Sequence, residues 1–260
     1  NIENNNNTIN NDIKENQKIS ESDIYKMQSQ NQNNEIQLEQ TSTTQKVKIV
    51  GLYDPEDYSL NINMWLNSDG DQLKNIFNKI DKIKLSDDAK EIMNIALLTN
   101  AYYPKKNISE KEYLNIKTSW LIKNNNLELI EDFLVKNQVF DLHPKLTKFL
   151  IDDYLSNSKI DKACEVLFKN LEPLFDEYLS KFNIYCLIHN KKKEEAQILY
   201  DLKKELGFKN KYFEKKIEYL LGYTSEVDTN ISEKNILDFH LAHKTIPNFF
   251  FEPKEETKKI

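Results

Sequence analysis

Residues 113–145 read YLNIKTSWLIKNNNLELIEDFLVKNQVFDLHPK, residues 146–178 read LTKFLIDDYLSNSKIDKACEVLFKNLEPLFDEY, and residues 179–200 read LSKFNIYCLIHNKKKEEAQILY. Laid beneath one another without a gap, the three pieces keep their apolar positions in step at a lag of 33 residues. Tyr113, Leu146 and Leu179 correspond, as do Ile116, Phe149 and Phe182, and Leu121, Tyr154 and Leu187. Ile130, Ala163 and Ala196 follow in the same register, then Phe133, Val166 and Leu199, and Leu134, Leu167 and Tyr200. Asn124, Asn157 and Asn190 fall where the first helix of each unit should end, a place that favours a left-handed residue, with asparagine the usual substitute for glycine. Each unit therefore reads as a helix, a short turn, a second helix and a connection. Neither helix can bury its apolar stripe alone, so the expected fold is all-α, an α-solenoid of stacked hairpins.

The helical period extends outward on both sides. Leu73, Ile76, Phe77 and Ile80 mark an amphipathic helix entered through Ser68, with Asp69 and Asp71 near its positive end. Ser86, Asp87 and Asp88 start another that carries Ile92, Met93, Ala96 and Leu97, and Pro104 breaks the segment beyond it. Ser109 with Glu112 has capping-box spacing and opens the helix of Tyr113, Ile116, Trp120 and Leu121. Beyond the repeats, Tyr212, Phe213, Ile217, Leu220 and Leu221 make a further helix, and Ser232 opens a last one with Ile236, Leu237, Phe239, His240 and Leu241.

The repeat domain is thus expected over residues 68–246, preceded by an extended strap over 46–67 and followed by a tail over 247–260. Residues 1–45 hold eleven asparagines and seven glutamines without tryptophan or phenylalanine. So little apolar surface cannot offset the entropy of ordering, and a disordered tether is expected there. The chain starts at Asn1 and not at methionine, which reads as a processed product or fragment. A signal peptide or anchor upstream would place it in the cell envelope or periplasm; otherwise the cytoplasm is expected.

Composition excludes several chemistries. All 36 basic residues are lysines, so an arginine finger, a bidentate guanidinium clamp and arginine readout of guanine are ruled out. The four glycines, Gly51, Gly70, Gly207 and Gly222, lie too far apart for a phosphate loop or dinucleotide fingerprint. A net charge of -6 argues against non-specific binding to nucleic acid or an anionic membrane. No run is long and apolar enough to span a bilayer.

The helix pairs resemble tetratricopeptide-type repeats, most closely in the second unit, where Leu150, Tyr154, Ala163 and Leu167 stand at that family's spacing. The chain departs from the pattern at Thr118, Ile151 and Ile184, where the family has a small residue, and in lacking the proline that ends a repeat. The stretch from Gly51 to Pro104, with GLYDPEDY, NMW and LLTNAYYP, is also similar to an uncharacterised family of exported helical-repeat proteins of alphaproteobacteria. These resemblances imply a helical-repeat fold and, from the second, an envelope location.

Candidate sites stand beside plainer readings. Asn67, Asp69 and Asp71 mimic the start of a calcium loop, but Gln72 and Asn78 occupy the positions needing glycine and glutamate. Carboxylates at a helix N-terminus account for them better. His240 and His243, with Asp238 nearby, lie on one helix at a spacing that suits two metal ligands; amphipathic filler is favoured, and no metal, cofactor or catalytic residue is assigned. Asp152 with Asp153 and Glu194 with Glu195 are read as solvated surface. Cys164 and Cys186 fall on adjacent helices within reach of one another, and the expectation is buried free thiols without a bridge. Of Phe249, Phe250 and Phe251, either one docks while another meets a partner, or the segment folds back as a cap.

The expected function is a non-catalytic interaction scaffold that binds a protein or peptide on the concave surface of the first helices. The alternatives are a helical accessory domain of an envelope enzyme, with catalysis elsewhere, and a structural spacer.

Overall fold

The structure is a computed structural model that describes residues 49–252. The expected tether over 1–45, the start of the strap and the end of the tail lie outside the described residues. Within them the chain is all-helical, with ten α-helices and no strand. These are α1 (Gly70–Ile80), α2 (Asp87–Leu98), α3 (Glu110–Asn124), α4 (Leu127–Asn137), α5 (Pro144–Ser156), α6 (Ile160–Phe168), α7 (Glu177–His189), α8 (Lys193–Glu205), α9 (Lys211–Leu221) and α10 (Ile236–Thr245).

Local chemistry sets the helix starts. Asp69, one residue beyond the expected Ser68, caps α1 by accepting from the backbone N–H of Asp71 at 3.0 Å and of Gln72 at 3.4 Å. The Lys106 amine pairs with the same carboxylate at 2.9 Å, and Asp71 stands in the first turn, so Asp69 and Asp71 serve a helix end. Asn235, not Ser232, caps α10, while the Ser232 hydroxyl donates to the Asp238 carboxylate at 2.7 Å. The capping box at Ser109 and Glu112 is complete. Removing it with Ser109→Ala is expected to cost about 1 kcal/mol, read as a lower urea midpoint with an unchanged slope.

The repeated asparagines act differently from the expectation. Asn157 and Asn190 have negative φ, and Asn124 is the last residue of its helix; the left-handed residues come one position later, at Asn125, Ser158 and Lys191. What the asparagines contribute is a side-chain donor. Their Nδ2 groups return to the carbonyls four residues back, Trp120, Asp153 and Cys186, at 2.9, 2.8 and 2.9 Å. At Asp153 and Cys186 the backbone N–H of the same asparagine already donates, at 3.1 and 2.9 Å, so the side chain adds a second donor to a carbonyl of the last turn. The 33-residue register holds for both the donor and the left-handed residue that follows it.

Hairpins α3–α4, α5–α6 and α7–α8 follow one another, and the first helices pack in chain order, α3 on α5, α5 on α7 and α7 on α9. This is the order that stacked hairpins require. The shared core runs through Leu121, Phe133, Leu150, Leu167, Phe182, Tyr200 and Phe213. Polar ties cross the stack at its flank. Glu131 of α4 receives the amines of Lys162 and Lys169 and the hydroxyl of Tyr154. Burial opposes ionisation of Glu131, but the two lysines outweigh it and hold the carboxyl below its ordinary range. Glu218 of α9 repeats the device with Tyr200 and Lys204.

Cys164 of α6 and Cys186 of α7 are joined in a disulfide, with Cα atoms 5.3 Å apart. The expectation of two free thiols is therefore wrong. The second helix of one unit leans on the first helix of the next, which brings both buried side chains within the usual bridging range.

The strap is wedged against the helices by backbone bonds. Leu52 N–H donates to the Leu98 carbonyl at 2.6 Å, Asn100 N–H donates to Tyr53, and the Asn137 amide group bonds both N–H and C=O of Gly51. A Cβ on Gly51 would lie 2.7 Å from the Leu98 oxygen, and one on Gly70 would lie 2.3 Å from the Ile108 Cβ. Gly70→Ala is accordingly expected to cost about 2 kcal/mol through forced displacement of the chain at Asn107 and Ile108. Thermal unfolding of that variant beside Gly207→Ala, where nothing lies near the added carbon, separates crowding from left-handed backbone strain.

Lysines hold the irregular connections. Lys117 donates to the Val50 carbonyl at 2.6 Å, Lys136 to Leu52, Lys74 to Asn107, Lys203 to Leu174 and Lys216 to Asp228. Two of these side chains, Lys117 and Lys216, are only 1% exposed.

Candidate functional site: a cleft between the fifth and last helices

Helix α10 packs on both α5 and α9, so it lies across the face of the first helices that was expected to stand open as a concave surface. Its apolar side, Leu237, Leu241 and Ala242, is fully buried. Polar contacts pin it as well. The His240 Nε2 lies 3.0 Å from the Leu155 carbonyl of α5, Tyr212 of α9 donates to the Asp238 carbonyl at 2.9 Å, and the Lys244 amine sits 5.2 Å over the Tyr185 ring of α7.

A cleft of about 540 Å³ is left along the edge of this contact. Its α5 wall is Lys148, Phe149, Asp152, Asp153 and Ser156, positions that share one helix face. The opposite wall is the segment from Glu233 through Ile236 with Phe239, and Phe251 closes one side. Phe251 is held there by the Phe239 ring, 5.1 Å away and nearly perpendicular, and Phe249 takes another edge of the same ring at 5.3 Å. Phe250 points outward and is 78% exposed. Two of the three consecutive aromatics therefore dock and the middle one does not, as strand-like alternation in an extended segment requires.

Asp152 departs from the surface role expected of it. Its carboxylate accepts a hydrogen bond from the Tyr178 hydroxyl of the next unit's first helix, and the Lys148 amine lies 4.8 Å over the Tyr178 ring. Burial pushes the Asp152 carboxyl up, against the opposing pull of Tyr178 and Lys148. Burial likewise raises the Tyr178 hydroxyl, with Asp152 adding to the effect. Asp153 accepts from Asn157 at 3.0 Å. The cleft thus combines aromatic walls with three half-buried carboxylates, Asp152, Asp153 and Glu233, of which Asp152 is fixed by the Tyr178 hydroxyl; apolar surface with placed polar groups is the mixture that ligand sites favour.

The other sequence candidates do not converge here. His240 is spent on the Leu155 carbonyl, and burial lowers its pKa; His243 stacks edge-on to Phe249 at 5.2 Å. Among the described residues no group of three or more His, Cys, Asp or Glu is placed to hold a metal ion. The cleft itself was missed because it is made by the return of α10 onto α5, more than eighty residues earlier. The only sequence signal was the aromatic cluster after Pro247. No helix among the described residues is long and apolar enough to cross a membrane. Compared with protein-family models, curated proteins and solved structures, the chain matches none of them.

Proposed function

We propose that this protein is a non-catalytic interaction scaffold that holds a segment of a partner protein or peptide in the cleft between α5 and α10. The observation that carries the reading is the cleft's lining. Phe149, Ile236, Phe239 and Phe251 offer an apolar seat, and Asp152 offers one oriented carboxylate inside it. An apolar anchor with an adjoining donor, seated between aromatic rings, is the pattern of side-chain capture at peptide-binding surfaces. The tetratricopeptide-like register supports the same class of role, with the site moved from the concave face to its edge. The buried Cys164–Cys186 bridge suits an oxidising compartment, which supports an envelope location for the scaffold.

The test is a photo-crosslinking residue placed at Ser156, exposed on the cleft rim, followed by affinity measurement with the purified captured partner. Phe149→Ala combined with Phe251→Ala is expected to weaken that binding by about tenfold or more, a loss of roughly 1.4 kcal/mol, while helical circular dichroism is retained. Unchanged affinity in the doubly substituted protein would refute the cleft as the site.

A further inference from the structure

The outer face of α8 breaks the pattern of the hairpins before it. At the 33-residue register Asp132 of α4, Glu165 of α6 and Ile198 of α8 correspond, as do Lys136, Lys169 and Leu202. At the end of α6 Glu165 and the capping residue Lys169 form an ion pair at 3.3 Å, suited to water. In α8 the pair is replaced by two aliphatic side chains, Ile198 at 70% and Leu202 at 48% exposure, and Leu206 continues the row at 73%. The spacing of four residues puts the three on one stripe.

The charge beside the stripe is one-sided. Glu194, Asp201 and Glu205 run along one flank of the helix and are exposed, and Glu195 lies at the head of the stripe, paired with Lys192 at 3.3 Å. The lysines in the second half of the helix are drawn away from it. Lys203 donates to the Leu174 carbonyl at 2.7 Å, and Lys204 pairs with Glu218 of α9 at 3.0 Å. A row of aliphatic side chains edged by carboxylates is complementary to an amphipathic helix whose apolar stripe is edged by cations. A second copy of this face would set carboxylate rows against each other, and an anionic membrane would be repelled by the same rows.

We propose that the outer face of α8 docks an amphipathic helix of a partner protein whose apolar stripe is flanked by lysine or arginine. This surface lies on a different element from the cleft and stands independently of it.

The test uses the full chain and a synthetic amphipathic peptide of about 18 residues, long enough to hold a helix, with a leucine stripe flanked by lysines. Titration calorimetry is expected to show binding that weakens as salt is raised. A twin peptide with glutamates in place of the lysines is expected to bind about tenfold more weakly or not at all. Ile198→Glu with Leu202→Lys installs the residues that α6 and its cap carry at these positions and should abolish binding of the lysine peptide without changing the melting temperature. Phe149→Ala should leave it unchanged. The proposal is overturned if the lysine peptide does not bind, if its glutamate twin binds equally, or if the Ile198→Glu, Leu202→Lys protein keeps its affinity. A concentration-dependent dimer that the same double substitution dissolves would assign the face to a second copy instead, and would equally overturn it.

Discussion

Replacing Cys164 and Cys186 together by alanine is expected to lower stability by about 3 kcal/mol. The bridge closes a loop spanning 22 residues of sequence separation, and restricting the unfolded chain by that amount is worth about 3 kcal/mol in the loop-entropy account. Both side chains are essentially inaccessible, so truncation also leaves unfilled space between α6 and α7 that adds to the loss. The measurement is a pair of denaturation curves under non-reducing conditions, wild type beside the double variant. Intact mass before and after unfolding in reductant gives the companion result, a gain of two hydrogens for the wild type and none for the variant. Coincident curves, or no mass change, would show that the bridge does not hold α6 to α7.

The second large effect concerns Lys117, whose ammonium group is buried with a backbone carbonyl as its hydrogen-bond acceptor and the Tyr113 ring 5.4 Å away. Burial pushes its pKa down from the ordinary 10.5 to about 8. A lysine depressed in this way is protonated more fully in the unfolded chain than in the folded one between those two values. The unfolded state therefore binds the extra proton, and stability rises as pH increases through that window. The penalty is fully present below about pH 8 and relieved by about pH 10.5, a change on the order of 3 kcal/mol. Lys117→Met removes the titrating group while keeping most of the volume. Wild type minus variant stability, taken from urea midpoints across this range, should climb with pH, and a flat difference would sink the account.

Lys117 also marks where the sequence stopped being readable. The lag of 33 residues was legible because it is written in side chains that every unit must bury, and residues such as Phe133, Leu146 and Tyr200 are indeed inaccessible. Helix starts were legible to within a residue or a few, since capping needs only a short polar side chain near the first turn; Asp69 displaced Ser68 and Asn235 displaced Ser232 on such small margins. Contacts between distant segments were not legible. No local pattern says that Lys117 will reach Val50 or that α10 will turn back onto α5, because each depends on how far one hairpin is rotated on the next, whereas the repeat already put Cys164 and Cys186 on adjacent helices and left only the bridge itself unread. The candidate cleft belongs to this second group, and Asp152 looked like any solvated carboxylate until Tyr178 was placed beside it.

The lysine-to-carbonyl contacts that fasten the connections carry a consequence for chemical reactivity. An acylated lysine loses its charge and keeps a single amide N–H, so acetyl transfer to Lys136, Lys74 or Lys203 would replace a charge-assisted bond to the backbone at Leu52, Asn107 or Leu174 by a weaker neutral one while leaving the helices themselves intact. Methylation up to the dimethyl stage retains one N–H and the charge, and leaves those attachments a donor. The same amines, modified in two ways of similar bulk, would thus yield one protein with loosened joints and another still fastened, and amide hydrogen exchange in the connections would tell them apart.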